Sequence, residues 1–467
     1  MNSKQAPQAA PAAAPSPATA RRCGMLPAHR LANWRSLRLA LAAAVLAGLT
    51  GCLSDRLFDN DDDYDAGTDR EFVVRYMKDW YLWNDRLPAD IDEGDYASGQ
   101  AALDALKVPE DRYSNISPAL DYNRFFNEGQ TIGFGLTYRL ETDEQSVRVV
   151  LVQPAAPANA AGLRRGDLIT AIDDEPVATL VAEQRLSAAF GAAEAGVSRR
   201  FAIVRDAQNL NLTITKDLYD ISYVLADAVF ELSNGRKVGY LNFFSFADKG
   251  VQPWRDTLDR LLAAGAQDLI VDMRSNGGGL LATTAQIGAA LGGNSLEGKV
   301  LTRLTFNDDH LPSNRTYSFA ADARSGRFDK LVWLTSRSSC SATEALIVGL
   351  DAHRSATRIG ETTCGKPVGF TPPQFEDKVY SIVSFRLRNA VDTTDYFDGL
   401  APDCPVSDDG TGQLGSRDEP LTATALSFLE TGACPGGAAA LKAQRDTRTL
   451  SELTGAPTGL SQLTNLW

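Results

Sequence analysis

Two runs of the chain, DLIVDM at 268–273 and KLVWLTS at 330–336, carry apolar residues at successive rather than alternating positions. A strand of that kind buries both of its faces, which suits the interior of a parallel sheet with helices packed on either side. Helical stretches accompany the runs. Trp254, Leu258, Leu261 and Leu262 form one stripe that stops at Gly265, a second helix is expected near 281–291, and SATEALIVGLDAH follows the later run. With the strand-like KVGYLNFF and KVLTRLTF, a late strand KVYSIVSFRLRN and a closing helix EPLTATALSFLETG, residues 218–435 read as βαβ units around a largely buried sheet.

A chain of 467 residues holds more than one such core. Residues 70–127, with Phe72, Tyr76, Trp80 and Leu82 near helical spacing, are expected to form a small helical cap. From 128 to 217, short β-rich runs such as SVRVVLV and DLITAI alternate with turns at Pro154, Pro157, Gly162 and Gly166, and PANAAGL is a short helix candidate. Residues 436–467 carry little pattern.

The N-terminus reads as an address. After an Ala/Pro run and five arginines, the 11 apolar or small residues at 39–49 are too few to span a bilayer but suit the core of a signal peptide, expected over 1–51. Met25 offers a second start that would give a signal of more usual length. The ending LTGC resembles the lipobox of bacterial lipoproteins, in which the cysteine, here Cys52, is lipidated and becomes the first mature residue. Leu53 and Ser54 lack the aspartate associated with inner-membrane retention, so a lipid anchor in the outer membrane, facing the periplasm, is expected. Removal of residues 1–51 takes away Lys4 and five arginines and no acid, moving the formal charge from −13 to −19. So acidic a surface does not bind phosphate backbones, which excludes nucleic acid as a partner, and the acidic stretch over 52–69 reads as a solvated tether.

The segment from GQTIGFGLTYRL to AGLRRGDLITAIDDEPV resembles a PDZ domain. The resemblance implies that the loop of Gly133, Phe134, Gly135 and Leu136 presents backbone N–H groups to the C-terminal carboxylate of a peptide, while a free strand edge pairs with the peptide backbone. Glycines suit such a loop because a carboxylate reaches several N–H groups only where no side chain intervenes.

The stretch TSRSSCSATEAL places Ser336, Ser338, Ser339 and Ser341 close together, followed by Glu344. A serine nucleophile needs a base, yet the chain has three histidines, His29, His310 and His353, and His310 lies with Asp308 and Asp309 in a polar loop that reads as solvated. Ser341 stands where a strand turns into a helix, a junction at which the first unpaired helix N–H groups point out of the sheet's end. The other three serines suit turn and capping roles. Ser341 and Glu344 also have the spacing of a capping box, which by itself accounts for both. Downstream, ETTCGKP puts Lys366 at the end of a neighbouring strand. Burial among apolar groups disfavours the charged form of a lysine and lets it act as a base, and Glu344, one turn from Ser341, is placed to orient it.

Together, SCSATEALIVGL, RIGETTCGKPVGF and the upstream DLIVDMRSNGGG resemble the carboxyl-terminal processing or tail-specific peptidases, a serine–lysine family with an embedded PDZ domain, over residues 70 to about 405. The resemblance implies an α/β multidomain fold: a small N-terminal helical cap, a PDZ-like β-rich domain and a protease core of the ClpP and crotonase type. It implies Ser341 as nucleophile, Lys366 as base, and an oxyanion hole formed by backbone N–H groups of Ala342 and of the SNGGG loop, Gly278 first and Gly279 next. Its substrates would be proteins or peptides with accessible apolar C-termini. Several family members carry a glutamine four residues beyond the lysine; Phe370 stands there in this chain, and Glu344 is the candidate for the third role.

Four cysteines follow Cys52, namely Cys340, Cys364, Cys404 and Cys434, and their count leaves three disulfide pairings open. If Ser341 and Lys366 form a dyad, Cys340 and Cys364 just before them are neighbours too, and a disulfide between those two is expected. No cysteine–histidine spacing suggests a metal site, and no cofactor is expected. GETTCGKP approaches a P-loop, but Pro367 replaces the magnesium-binding hydroxyl and disrupts the helix start. The competing reading is a catalytically inactive peptide- or ligand-binding lipoprotein on the same fold.

Overall fold

The structure, a computed structural model, describes residues 67–292 and 296–435. The expected signal peptide, Cys52, most of the acidic tether and the tail at 436–467 lie outside the described residues.

Among the described residues the central sheet has six strands, in the order Val224–Glu231, Lys237–Phe243, Asp268–Asp272, Leu331–Thr335, Thr357–Gly360 and Cys404–Pro405. The first pair is antiparallel and the rest are parallel. Leu269, Val271, Leu331 and Trp333 share one core with Trp254 and Leu258 of helix Val251–Ala263 and with Leu346 and Ile347 of helix Ala342–Asp351. Ile270, Val332 and Leu334 share the other with Leu421, Ala425 and Leu429 of helix Pro420–Thr431. Successive strand residues point to opposite faces, so a sheet covered on both sides needs the unbroken apolar runs found in the sequence.

The N-terminal region is sewn to this core. Helices Asp69–Trp80 and Gly99–Leu106 lie where residues 70–127 were expected to be helical, but Asn115–Pro118 is a strand paired antiparallel with Lys378–Ser381. The Phe72 ring stacks on Phe375 at 4.8 Å and lies 4.5 Å from Tyr380. His310 is not solvated as its polar loop suggested: Nε2 lies 2.6 Å from Asp79 Oδ1, and the ring stacks on Trp80 at 3.5 Å. The expected late strand is divided. Lys378–Ser381 stays with Asn115–Pro118, whereas Phe385–Arg388 pairs with Val300–Phe306 in another sheet. Between them the Val383 N–H donates to Ser114 Oγ and that of Ser384 to Gly369 O, each at 2.9 Å, which carries the chain from one sheet to the next. These partners are distant along the chain, so periodicity within one segment holds no trace of them.

A separate antiparallel sheet runs in the order Leu136–Leu140, Val147–Val152, Leu168–Ile172, Ser198–Arg205 and Gln208–Thr215, with Glu175–Pro176 paired beside the third strand. Its own core includes Phe134, Phe190 and Phe201. Arg165 of this region reaches the first, joining a buried ionic network there. It lies 2.5 Å from Asp408 and 3.7 Å from Glu419, and also donates to Val150 O. Arg274, fully buried, pairs with Asp272, Asp408 and Glu419. Glu419 in turn caps helix Pro420–Thr431 by accepting from the Thr422 N–H at 2.9 Å.

Burial alone would push the Asp408 carboxyl up; Arg274 and Arg165 more than reverse this and hold it well below the usual carboxylate range. A carboxyl depressed by folding contributes stability that is complete above its unfolded pKa of about 3.9 and is lost as pH falls through the folded value. Asp408→Asn is therefore expected to lower stability at pH 7 by about 3–5 kcal/mol, the usual result of removing one partner from a buried ion pair. The variant should also lose less stability than the wild type on acidification below about pH 4. Urea unfolding of both proteins at neutral and acid pH measures the two effects.

Candidate active site

The strand Leu331–Thr335 runs into the four serines, and Ala342 opens the helix that follows. Ser336 Oγ donates to Arg274 O at 2.6 Å, and Ser339 Oγ donates to Met273 O at 2.9 Å while accepting from the Ser336 N–H. Those two hydroxyls build the turn. Ser341 is different: with φ 56° and ψ −114° it sits, as a non-glycine residue, in a region that L side chains avoid. Such a conformation costs about 1–3 kcal/mol and persists where the surroundings over-determine it. At a sharp strand-to-helix turn it exposes the side chain at the top of the sheet.

The turn is held by Glu344, whose side chain is fully buried. Oε2 accepts from the Ser341 N–H at 3.0 Å and from the Lys366 N–H at 2.8 Å. Oε1 accepts from the Gly365 N–H at 2.8 Å and from Thr363 Oγ1. One carboxylate oxygen thus joins the backbone of Ser341 to that of Lys366. Burial pushes the Glu344 carboxyl above the ordinary glutamate value, and the donors of Thr363, Lys366, Gly365 and Ser341 oppose that rise. Glu344 therefore orients the lysine through its main chain and not through its ammonium.

A covalent tie runs alongside. Cys340 and Cys364 are disulfide-bonded with Cα atoms 5.2 Å apart, and the Cys364 N–H donates to Ser339 O at 3.1 Å. A second disulfide joins Cys404 to Cys434, beyond the last helix. Cys340, Glu344 and Cys364 bring three donor atoms within 4.8 Å of one another, but the sulfurs are bonded to each other and the carboxylate already takes four donors, so this cluster is not a metal site.

Lys366 is 5% exposed. Nζ lies 4.3 Å from the centroid of the Phe370 ring and 5.4 Å from that of Tyr113, and it makes no hydrogen bond or ion pair among the described residues, Ser341 Oγ included. Burial pulls its pKa from 10.5 down to about 8, against the opposing influence of Asp111 and Glu344.

Gly278 packs directly on the nucleophile turn: a Cβ there would meet Ser341 Cβ at 2.9 Å, Cys340 O at 3.0 Å and Ala342 N at 3.1 Å. The N–H of Gly278, expected as an oxyanion donor, donates in this geometry to Asn276 Oδ1 at 2.9 Å. The Gly279 N–H has no acceptor among the described residues, and Ala342 is the first helical residue, whose N–H has no acceptor within the helix. Asn276 pins the two loops together: its carbonyl accepts from the Cys340 N–H at 3.1 Å and from Thr343 Oγ1 at 3.0 Å.

In the β-rich region, Leu136–Leu140 lies at the edge of its sheet. The N–H groups of Phe134 and Gly135 have no acceptor among the described residues, whereas Phe134 O and Gly135 O accept from Ala158 and Gln153. Gly133 lies at the end of a strand paired with Asp217–Asp220. Gly135 has φ 79°, and a Cβ there would overlap that of Ala156 at 2.0 Å. The Phe134 side chain is turned into the domain core, so the loop offers its backbone and not that ring.

Sequence reasoning missed Asn276, Thr363 and Tyr113. Asn276 and Thr363 lay within the quoted motifs SNGGG and GETTCGKP, but their side chains had no partner that spacing could reveal. Tyr113, in a segment read as helical cap, donates its hydroxyl to Gly365 O.

Compared with known proteins, residues 237–406 match the profile of Peptidase family S41, residues 70–115 that of the Peptidase S41 N-terminal domain, and residues 132–215 that of a PDZ domain. The chain is 26% identical over 298 residues to the carboxyl-terminal-processing protease of Synechocystis sp., covering 62% of this chain and 66% of that one. It is 25% identical over 249 residues to the chloroplastic carboxyl-terminal-processing peptidase 2 of Arabidopsis thaliana, covering 51% and 46%. The chain thus spans less than two thirds of the length of these curated relatives. A crystal structure described as an S41 protease from Bacteroides fragilis shares the fold, with a TM-score of 0.63 at 19% identity over 78% of this chain and 97% of that one. Along the chain, then, lie in turn a match to the Peptidase S41 N-terminal domain, a match to a PDZ domain and a match to Peptidase family S41.

Proposed function

We propose that the protein is a serine endopeptidase of the carboxyl-terminal processing type, exported and held by a lipid on Cys52 in the outer membrane, facing the periplasm. The observation that carries the catalytic reading is the shared oxygen Glu344 Oε2, which brings the backbones of Ser341 and Lys366 together while Ser341 is held in a strained turn. Neutral Lys366 takes the hydroxyl proton as Ser341 Oγ attacks the scissile carbonyl carbon. The same lysine then protonates the departing amine, and water hydrolyses the acyl-enzyme. The oxyanion is held by the Ala342 N–H and by the SNGGG loop through the N–H of Gly279, which has no acceptor among the described residues. The free N–H groups of Phe134 and Gly135 receive the C-terminal carboxylate of a substrate, and the edge strand Leu136–Leu140 pairs with its backbone.

A second reading, a peptide-binding lipoprotein without catalysis, is supported by two observations: Lys366 Nζ is not hydrogen-bonded to Ser341 Oγ, and the Gly278 N–H is taken by Asn276. Catalytic hydrogen bonds are often long before substrate binds, so the first of these does not count against the enzyme.

A fluorophosphonate probe is expected to label the wild type at Ser341 and not Ser341→Ala; equal labelling of both would sink the protease reading. Lys366→Ala should slow labelling by about 10²–10⁴-fold, the usual contribution of a positioned base. Because burial brings Lys366 to about 8, and the base must be neutral, the labelling rate should rise with pH through that value. A profile flat from mildly acidic to alkaline pH argues against lysine as the base. Gly278→Ala should lose labelling by displacing Ser341, with thermal unfolding as the check that the rest of the fold survives.

A further inference from the structure

The ammonium of Lys366 makes no hydrogen bond or ion pair among the described residues, and the reason lies in what its neighbours already do. Glu344 spends its oxygens on Ser341, Thr363, Gly365 and Lys366 N–H. Asp111, the carboxylate whose charge bears most on the lysine, spends its own on the Tyr113 N–H and on the N–H and hydroxyl of Ser114. Nζ lies instead over two ring faces, 4.3 Å from the centroid of Phe370 and 5.4 Å from that of Tyr113. Tyr113 cannot swing away: its hydroxyl donates to Gly365 O and accepts from Arg112 Nη2 at 3.0 Å. Tyr396, which interacts with Glu344 and Tyr113, is buried, which pushes its phenol up and keeps it neutral.

We propose that Phe370 and Tyr113 are positioning residues for Lys366, holding Nζ between two ring faces where a polar third residue would otherwise stand. The inference rests on the serine–lysine reading above. A ring face attracts an ammonium through its quadrupole but takes no hydrogen bond from it. When the lysine is neutral its lone pair is therefore left free for the Ser341 hydroxyl, and the stem stays in place. A glutamine at 370 would bind the ammonium through its amide oxygen and favour the charged, inactive form. Tyr113 lies in the N-terminal region, immediately before strand Asn115–Pro118, so that region completes the lysine pocket of the peptidase domain.

The test is a direct titration of Lys366 by NMR in full-length protein carrying ε-13C lysine, the signal being identified by its loss in Lys366→Ala, together with the pH profile of fluorophosphonate labelling. Phe370→Leu and Tyr113→Leu keep an apolar neighbour but remove a ring face, and each should lower the midpoint by about half to one pH unit. Phe370→Gln should raise it, and Phe370→Trp, with a stronger ring face, should also raise it and serves if the leucine variant does not fold. Midpoints that coincide with the wild type in the folded variants overturn the proposal. Undiminished labelling of Lys366→Ala would remove the serine–lysine reading, while the NMR midpoints still report whether the rings hold the ammonium. An inactive Lys366→Ala with unshifted midpoints would remove the ring clamp alone.

Discussion

The carboxylate of Glu344 is the contact on which the candidate site depends. A buried charge of this kind is costly unless it is well hydrogen-bonded, and four donors from two separate segments meet that need. Satisfying Glu344 therefore forces the serine turn and the lysine loop onto the same two oxygens. The strained backbone of Ser341 is one consequence, since its N–H must point inward to the carboxylate while the chain turns from strand to helix. The disulfide between Cys340 and Cys364 fastens the same two segments covalently.

Around this point the molecule is organised by a second buried set of charges. Arg274 begins the loop that leads through Asn276 to Gly278 and Gly279, and it is fixed by Asp272, Asp408 and Glu419. Arg165, from the PDZ domain, binds two of the same carboxylates. The ions that join the PDZ domain to the peptidase domain therefore also anchor the start of the loop that packs against Ser341. Arg165 and Arg274 share Asp408 and Glu419, so a change at one member must be accommodated by the others.

Some of this was legible along the chain. The short unbroken runs at 268–273 and 330–336, alternating with helical stretches, announce a sheet buried on both sides, because a strand with both faces covered needs an apolar residue at every position. The spacing of Ser341 and Glu344 marks a helix start, since a side chain three residues on reaches back to the cap N–H. Periodicity was silent on Asn115–Pro118, on the break between Ser381 and Phe385, and on the docking of His310, where each partner lies in a distant part of the chain. Spacing also named Gly278 without showing that Asn276 occupies its N–H, because glycine's small size was legible and the direction of its peptide plane was not.

The sequence by itself determined the layered α/β class, the order of the domains, and the scarcity of histidine that turned attention to Lys366. These follow from local physics, namely side-chain alternation, capping and the residue types a reaction can use. Only the tertiary structure decided that Lys366 is enclosed by Phe370 and Tyr113, that Glu344 addresses its backbone, and that the Arg165 and Arg274 networks are one. Each of those depends on the direction in which a side chain leaves a packed surface, and packing is a property of segments brought together from across the chain.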